Sequence, residues 1–439
     1  MSREHFFALT DSLSAALRGS EVLLCNLAGE DSDFVRLNRN RIRQAGAVRR
    51  HRLDLQLIDG RRQVRGRCDL TGGSDTDLGL TNALLERLRA RLAEVPEDPY
   101  LDHATTPTTS DRVVGGDLPE PGEAIGELIA AAEGLDLVGI WASGPIYRGF
   151  ASSLGHRHWH QSMSFNLDWS CYLERDKAVK ATYSGFSWEP SRLRAKLDQV
   201  RQGLAAMHRP ARTIEPGRYR AYLAPAALEE LMGMLAWGGF GLKSHRTAQT
   251  PLLRMVRGER AFDRRVQLHE DHARGLVPGF TTEGFLKPER VTLTAEGLYR
   301  DCLVDSRSGK EYGIAVNADA SVPESLTVAP GDIPEGEVIA RLGSGLYIGN
   351  LWYLNYADRN DCRVTGMTRF GTFWVEGGEL VGPLNVMRFD DSLYHLLGDR
   401  LEGLTREQEL ILSPDTYEGR STASSLLPGI LVSGIDLAL

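Results

Sequence analysis

Phe6, Leu9, Leu13, Ala16 and Leu17 recur at helical spacing, so the chain is predicted to open with an amphipathic helix. Strands are expected next at "EVLLCNL" and around "DFVRLNRNRIRQ". A hairpin follows. Leu53, Leu55 and Leu57 alternate with polar residues, and Asp59-Gly60 supports the positive φ of a tight turn before "RRQVRGRCDL". Leucines at 80, 84, 85, 88 and 92 mark a second helix between Asp75 and Ala93. The stretch "EVPEDPYLDHATTPTTSDRVVGGDLPEP" breaks this periodicity and reads as a linker, dense in Pro, Thr, Asp and Gly. Beyond it the pattern predicts a helix near 121–134 and strands at "LDLVGIWAS" and "IYRGFASS". A β-rich run then extends to about Trp188, followed by a helix over 191–208. After "RYRAYLAP" the helix "AALEELMGMLAW" opens a region of strands and glycine turns.

Length and composition narrow the class without naming a function. The 439 residues suffice for two or three domains, and 42% hydrophobic with 25% charged residues is ordinary for a globular protein. A net charge of −8 gives no support to global nucleic-acid binding. The five scattered cysteines form no C-x-x-C pair, which fits reduced thiols and a cytoplasmic setting. The N-terminus lacks the long apolar core of a signal peptide or membrane span.

Four stretches invite chemistry. "VQLHEDHARG" brings His269, Glu270 and His272 together, but a helical zinc pincer needs histidines at i and i+4. Val266 and Leu268 alternate with Arg265 and Gln267, while Gly275 and Pro278-Gly279 announce a turn. These residues are expected at a strand end running into a solvated loop. In "GHRHWHQSMSF", His156, His158 and His160 share one face of a strand, at spacings of roughly 6.5–7 Å. Two of them could share a zinc, and the alternative is a polar, subunit-facing surface. "GGFGLKS" fails as a phosphate loop, because Trp237 and Leu242 stand where glycines are required. Its glycines are expected to end the preceding helix. Eleven arginines between Arg36 and Arg67 face only Asp54 and Asp59, and their alternation with leucine puts most of them on the wet face of the hairpin. No G-x-S-x-G elbow and no protease-like cysteine context is present.

Larger landmarks, taken in order, resemble the TldD/PmbA family, zinc metallopeptidase-related proteins also called modulators of DNA gyrase. They are "FVRLNRNRIRQAG", "YRGFASSLG", "GGFGLKSHRTAQTPLLRMVRGERAF", "FTTEGFLKPERVTLTAEGLYRDCLVDSRSGKEYG" and "GMTRFGTFWVEGGELVGPLNVMRFDDSLYHLL". The resemblance implies an α+β fold. It would comprise an N-terminal α/β domain (1–95), a linker (96–120), a β-rich middle domain (121–210) and a C-terminal mixed-sheet domain (211–439). The family's TldD branch carries H-E-x-x-x-H on its central helix and a C-terminal cysteine as zinc ligands. Here the corresponding segment reads "LMGMLAWGGFGLKSH", with only His245 nearby and no cysteine after Cys362. Five residues beyond His269 stands Arg274. The chain therefore resembles the PmbA (TldE) branch, which implies no cofactor here, zinc on a TldD-like partner, and an unfolded peptide as substrate. Trp237, Gly238 and Gly239 become candidates to face the partner or the peptide cleft. Two alternatives stay open: a homodimeric peptide-binding scaffold, and a metallopeptidase using His156 and His158.

Overall fold

The computed structural model describes residues 2–175, 177–274 and 276–438; Gly275, one of the expected turn residues, lies outside them. Helix α1 (Arg3–Ala15) is capped by Ser2, whose hydroxyl accepts the His5 amide, and it buries Phe6, Leu9 and Leu13. The two strands expected after it are one strand, β1 (Val22–Asn38), continued by β2 (Arg41–Asp59). The polar stretch between them does not interrupt the strand, because Glu30 and Ser32 are buried and keep the alternation going. The turn lies at Arg39-Asn40, both at φ 53°, the left-handed geometry that two-residue hairpins prefer. Strand β3 (Arg62–Leu70) follows a second turn, with Gly60 at φ 58°. Helix α2 spans Ser74–Leu92.

The expected linker contributes a strand. Residues Thr109–Val114 form β4, and helix α3 covers Pro121–Ala131. "LDLVGIWAS" and "IYRGFASS" merge into β5 (Asp136–Ser152), followed by β6 (Arg157–Glu174), β7 (Lys177–Gly185) and helix α4 (Pro190–Met207). Over the described residues, β3-β2-β1-β5-β6-β4, with β7 also on β6, form a seven-stranded sheet. Segments 1–95 and 121–210 therefore share one sheet.

The two faces of this sheet differ sharply. One carries Leu23, Leu27, Leu53 and Trp159 beneath α1 and α2, and Trp141, Phe165 and Trp169 beneath α3 and α4. The other carries Glu30, Ser32, His158, His160, Ser162 and Ser164, each at most 6% exposed. That polar face is covered by the second half of the chain. Leu276 receives His160, Thr282 receives Asn26, and Arg420 reaches Ser164.

The second half begins with β8 (Gly217–Leu223) and helix α5 (Pro225–Ala236). Short helices α6 (Leu242–Arg246) and α7 (Leu253–Val256) precede β9 (Leu268–Asp271), β10 (Arg290–Ala295) and β11 (Leu298–Tyr299). Helix α8 (Ser306–Tyr312), β12 (Ser325–Val328) and α9 (Val338–Leu342) follow. The chain closes with β13 (Gly345–Asp358), β14 (Arg363–Glu376), β15 (Glu379–Pro383), β16 (Arg388–Ser392), β17 (Leu401–Leu412) and β18 (Ser424–Leu437). Over the described residues these strands make an eleven-stranded sheet. Its β18-β16-β14-β13-β8 portion closes on itself, because β8 also pairs with β18. Leu228, Leu231, Met232 and Leu235 of α5 pack with Leu346, Ile348, Val364, Phe389, Ile430 and Val432 of that closed portion. Each such buried Leu or Met is worth roughly 1.5–3 kcal/mol, so α5 is pinned by its apolar stripe. No helix among the described residues is long and apolar enough to cross a membrane.

Candidate functional site

Helix α5 ends where its sequence runs out of helix formers. The Trp237 amide still reaches the Gly233 carbonyl, and Gly238 then takes φ 80°, a conformation that favours glycine. At Gly239 a Cβ would lie 2.0 Å from the Leu235 carbonyl oxygen, so only glycine lets the chain turn this tightly against the helix. The Gly239 carbonyl is held from two sides, by His245 Nε2 at 2.7 Å and the Thr250 hydroxyl at 2.9 Å. The turn presents Trp237, 60% exposed, to solvent.

Two residues that the sequence did not single out complete this corner. Arg359 donates to the Trp237 carbonyl at 2.7 Å and stacks over both Trp237 and Tyr356, 5.6 and 5.1 Å from their ring centres. The Tyr356 hydroxyl donates to the Met234 carbonyl at 2.6 Å, tying β13 to the end of α5. Arg359 is 122 positions from Trp237 in sequence, so no local signal links them.

A zinc site on α5 does not fit the residues present. Its inward face is Ala, Leu and Met, its only ionisable side chains are Glu229 and Glu230, and His245 has Nε2 committed to a carbonyl. Glu229 is nonetheless unusual. Burial pushes its carboxyl up to about 7, only partly offset by a hydrogen bond with Ser425, and among the described residues Oε2 has no hydrogen-bond partner.

Both histidine stretches differ from expectation. The "LHEDH" segment is not a solvated loop. It forms β9 between β10 and β12, and Glu270, Asp271 and His272 are at most 2% exposed. Glu270 accepts the backbone amides of Glu324 and Ser325, and His272 Nδ1 contacts the Pro288 carbonyl at 2.6 Å. Asp271 pairs with Arg290 at 2.8 Å. The neighbouring strand, which the local pattern could not show, makes these residues core.

His156, His158 and His160 likewise do not form a surface. All are at most 1% exposed. His156 meets the Ser152 hydroxyl, His158 those of Thr108 and Ser110, and His160 the Leu276 carbonyl. Burial holds His158 and His160 down to about 4, so both rings are neutral. Among the described residues no group of three or more His, Cys, Asp or Glu side chains is arranged to hold a metal ion. The Trp237 corner and these histidines are separate features of the molecule.

A family profile described as the PmbA/TldA metallopeptidase C-terminal domain matches residues 216–439, half of the chain. The chain belongs to the PmbA/TldD metallopeptidase family. Solved structures match this PmbA/TldD chain along its whole length. TldE from Thermococcus kodakarensis has a TM-score of 0.78 at 13% identity, covering 99% of this chain and 100% of that one. A candidate modulator of a DNA gyrase from Thermotoga maritima has a TM-score of 0.76 at 14% identity, covering 100% of both chains. A similar candidate from Bacteroides thetaiotaomicron has a TM-score of 0.73 at 15% identity, covering 99% and 98%. These likenesses establish a shared α+β fold. No curated protein matches the sequence. The PmbA/TldD segment matched by the profile begins just before β8 and contains α5 and its Trp237–Gly239 turn.

Proposed function

We propose that this chain is the metal-free subunit of a TldD-type metallopeptidase complex acting on unfolded peptides. The zinc, the activating glutamate and the hydrolytic water belong to a partner carrying H-E-x-x-x-H. The make-up of α5 carries this reading. A zinc-activated water needs several nitrogen, oxygen or sulfur ligands converging on one point, and α5 offers two adjacent glutamates and no histidine. The full-length likeness to a TldE structure supports the same assignment.

In such a complex this chain would wall the cleft and offer strand edges to an extended peptide. The exposed Trp237, backed by Arg359 and Tyr356, has the aromatic and arginine character of an interface centre. Co-expression with a relative bearing H-E-x-x-x-H tests the proposal. The two chains should co-purify, zinc should remain with the relative, and hydrolysis of a denatured peptide should require the relative's histidines. Stoichiometric zinc and peptidase activity in this chain alone would overturn it.

A further inference from the structure

One part of the polar face of the first sheet, with the connector above it, gathers four arginines around two glutamates. Ala28 of β1 stands opposite Arg52 on β2 and opposite Arg148 on β5, so one cross-strand row places two arginines on either side of a methyl group. The next row on the same face pairs Glu30 with Arg50. The connector between β17 and β18 passes over these rows and delivers Arg420. Together Arg50, Arg52, Arg148 and Arg420 border a cavity of about 220 Å³, whose lining also includes two glutamates, Glu30 from the sheet and Glu418 from the connector.

The hydrogen bonds of this cluster are largely neutral. Arg420, 8% exposed, donates to the Gly144 and Ser164 carbonyls at 2.8 and 3.0 Å and to the Ser164 hydroxyl at 2.7 Å. Arg148 donates to the Tyr147 carbonyl at 2.8 Å, and Arg50 to the Glu418 carbonyl. Among the described residues Arg52 Nε has no hydrogen bond, and its ion pair is with the exposed Asp69 at 3.6 Å. Glu30 is engaged by the Ser32 hydroxyl at 2.8 Å and the Arg420 amide at 3.3 Å. Carbonyl oxygens satisfy N–H groups without cancelling charge, and a buried cation lacking a counter-charge is costly. Desolvation, only partly opposed by Glu324 and Glu30, lowers the pKa of Arg148, and desolvation against Glu30 alone lowers that of Arg420 to about 10.

We propose that this cavity is an oxyanion-binding site, in which Arg50, Arg52 and Arg148 take a carboxylate or phosphate group and Arg420 fixes the connector as its wall. All four cations are arginines, whose planar forks match such groups in two-point contacts, whereas lysine offers a single point charge. The volume admits one such group, and the open side leaves room for the remainder of a larger molecule. The site does not depend on the subunit role proposed above, since none of its residues lies on α5.

Calorimetric titration of the full chain at constant ionic strength tests this. Inorganic phosphate is one probe; the others are a short peptide with a free C-terminal carboxylate and the same peptide as its amide. Wild type should bind phosphate saturably. Arg50→Met/Arg52→Met, altered only at partly exposed positions, should bind at least about tenfold more weakly with an unchanged unfolding transition. Displacement of phosphate by the free-acid peptide but not the amide would identify a peptide terminus as the ligand. Phosphate binding with neither peptide competing would identify a free anion. Absence of saturable binding by any probe, or equal affinity in the double variant, overturns the site.

Discussion

Replacing Glu270 by alanine should destabilise the protein severely, although the local sequence marks this residue as part of an exposed loop. Its side chain is 2% exposed, and the carboxylate accepts the Glu324 amide at 3.1 Å and the Ser325 amide at 3.0 Å, with His272 Nε2 at 3.4 Å. Those amides open β12, which pairs with both β9 and β18. Truncation leaves up to two donors unsatisfied beside a new void. At about 1–3 kcal/mol for each stranded buried group, the loss should reach about 3–5 kcal/mol. Glu270→Gln keeps one acceptor oxygen and should lose roughly half as much. His269→Ala, on the same strand but only half-buried, should lose under about 1 kcal/mol. Urea unfolding followed by tryptophan fluorescence separates the three through their midpoints, provided the slopes agree. If Glu270→Ala and His269→Ala unfold at the same urea concentration, the buried-acceptor account of "LHEDH" is wrong.

Glu229 has a folded pKa of about 7, above the 4.5 of an unperturbed glutamate, so the folded state holds the extra proton and stability falls as pH rises from about 4.5 to 7. Glu229→Gln should flatten that limb and gain up to about 3 kcal/mol at pH 8, read from unfolding midpoints across pH. His158 and His160 work in the opposite direction. With folded values near 4 against 6.5 unfolded, their stabilisation is present above pH 6.5 and drains away as pH falls towards 4, and His158→Gln should shallow that acid limb. Gly239→Ala forces a Cβ to within 2.0 Å of the Leu235 carbonyl and should reduce soluble yield and melting temperature. Trp237→Ala should leave the isolated chain's melting temperature nearly unchanged while weakening co-purification with the zinc-bearing relative; undiminished co-purification would remove Trp237 from the interface.

Periodicity alone determined much of this protein. Apolar spacing located α1 and α2 within a few residues, because a helix that buries one stripe must repeat it every 3.6 positions. Alternation located the hairpin of β2 and β3, and ordered landmarks placed the chain in its family, including a central helix without histidines. Other features belonged to the tertiary structure. Whether a polar residue is wet or buried depends on what covers it. His158 and His160 alternate as an exposed strand face would, yet segments more than a hundred residues away close over them. Glu270 reads as part of a loop until β12 arrives from 54 positions downstream with two amides for its carboxylate. Arg359 reaches Trp237, and Arg420 joins Arg148, only because the strands of β13 and β18 bring them back. Sequence fixes the local period of a segment, whereas long-range strand pairing decides which of its faces loses water and which polar groups must find partners there.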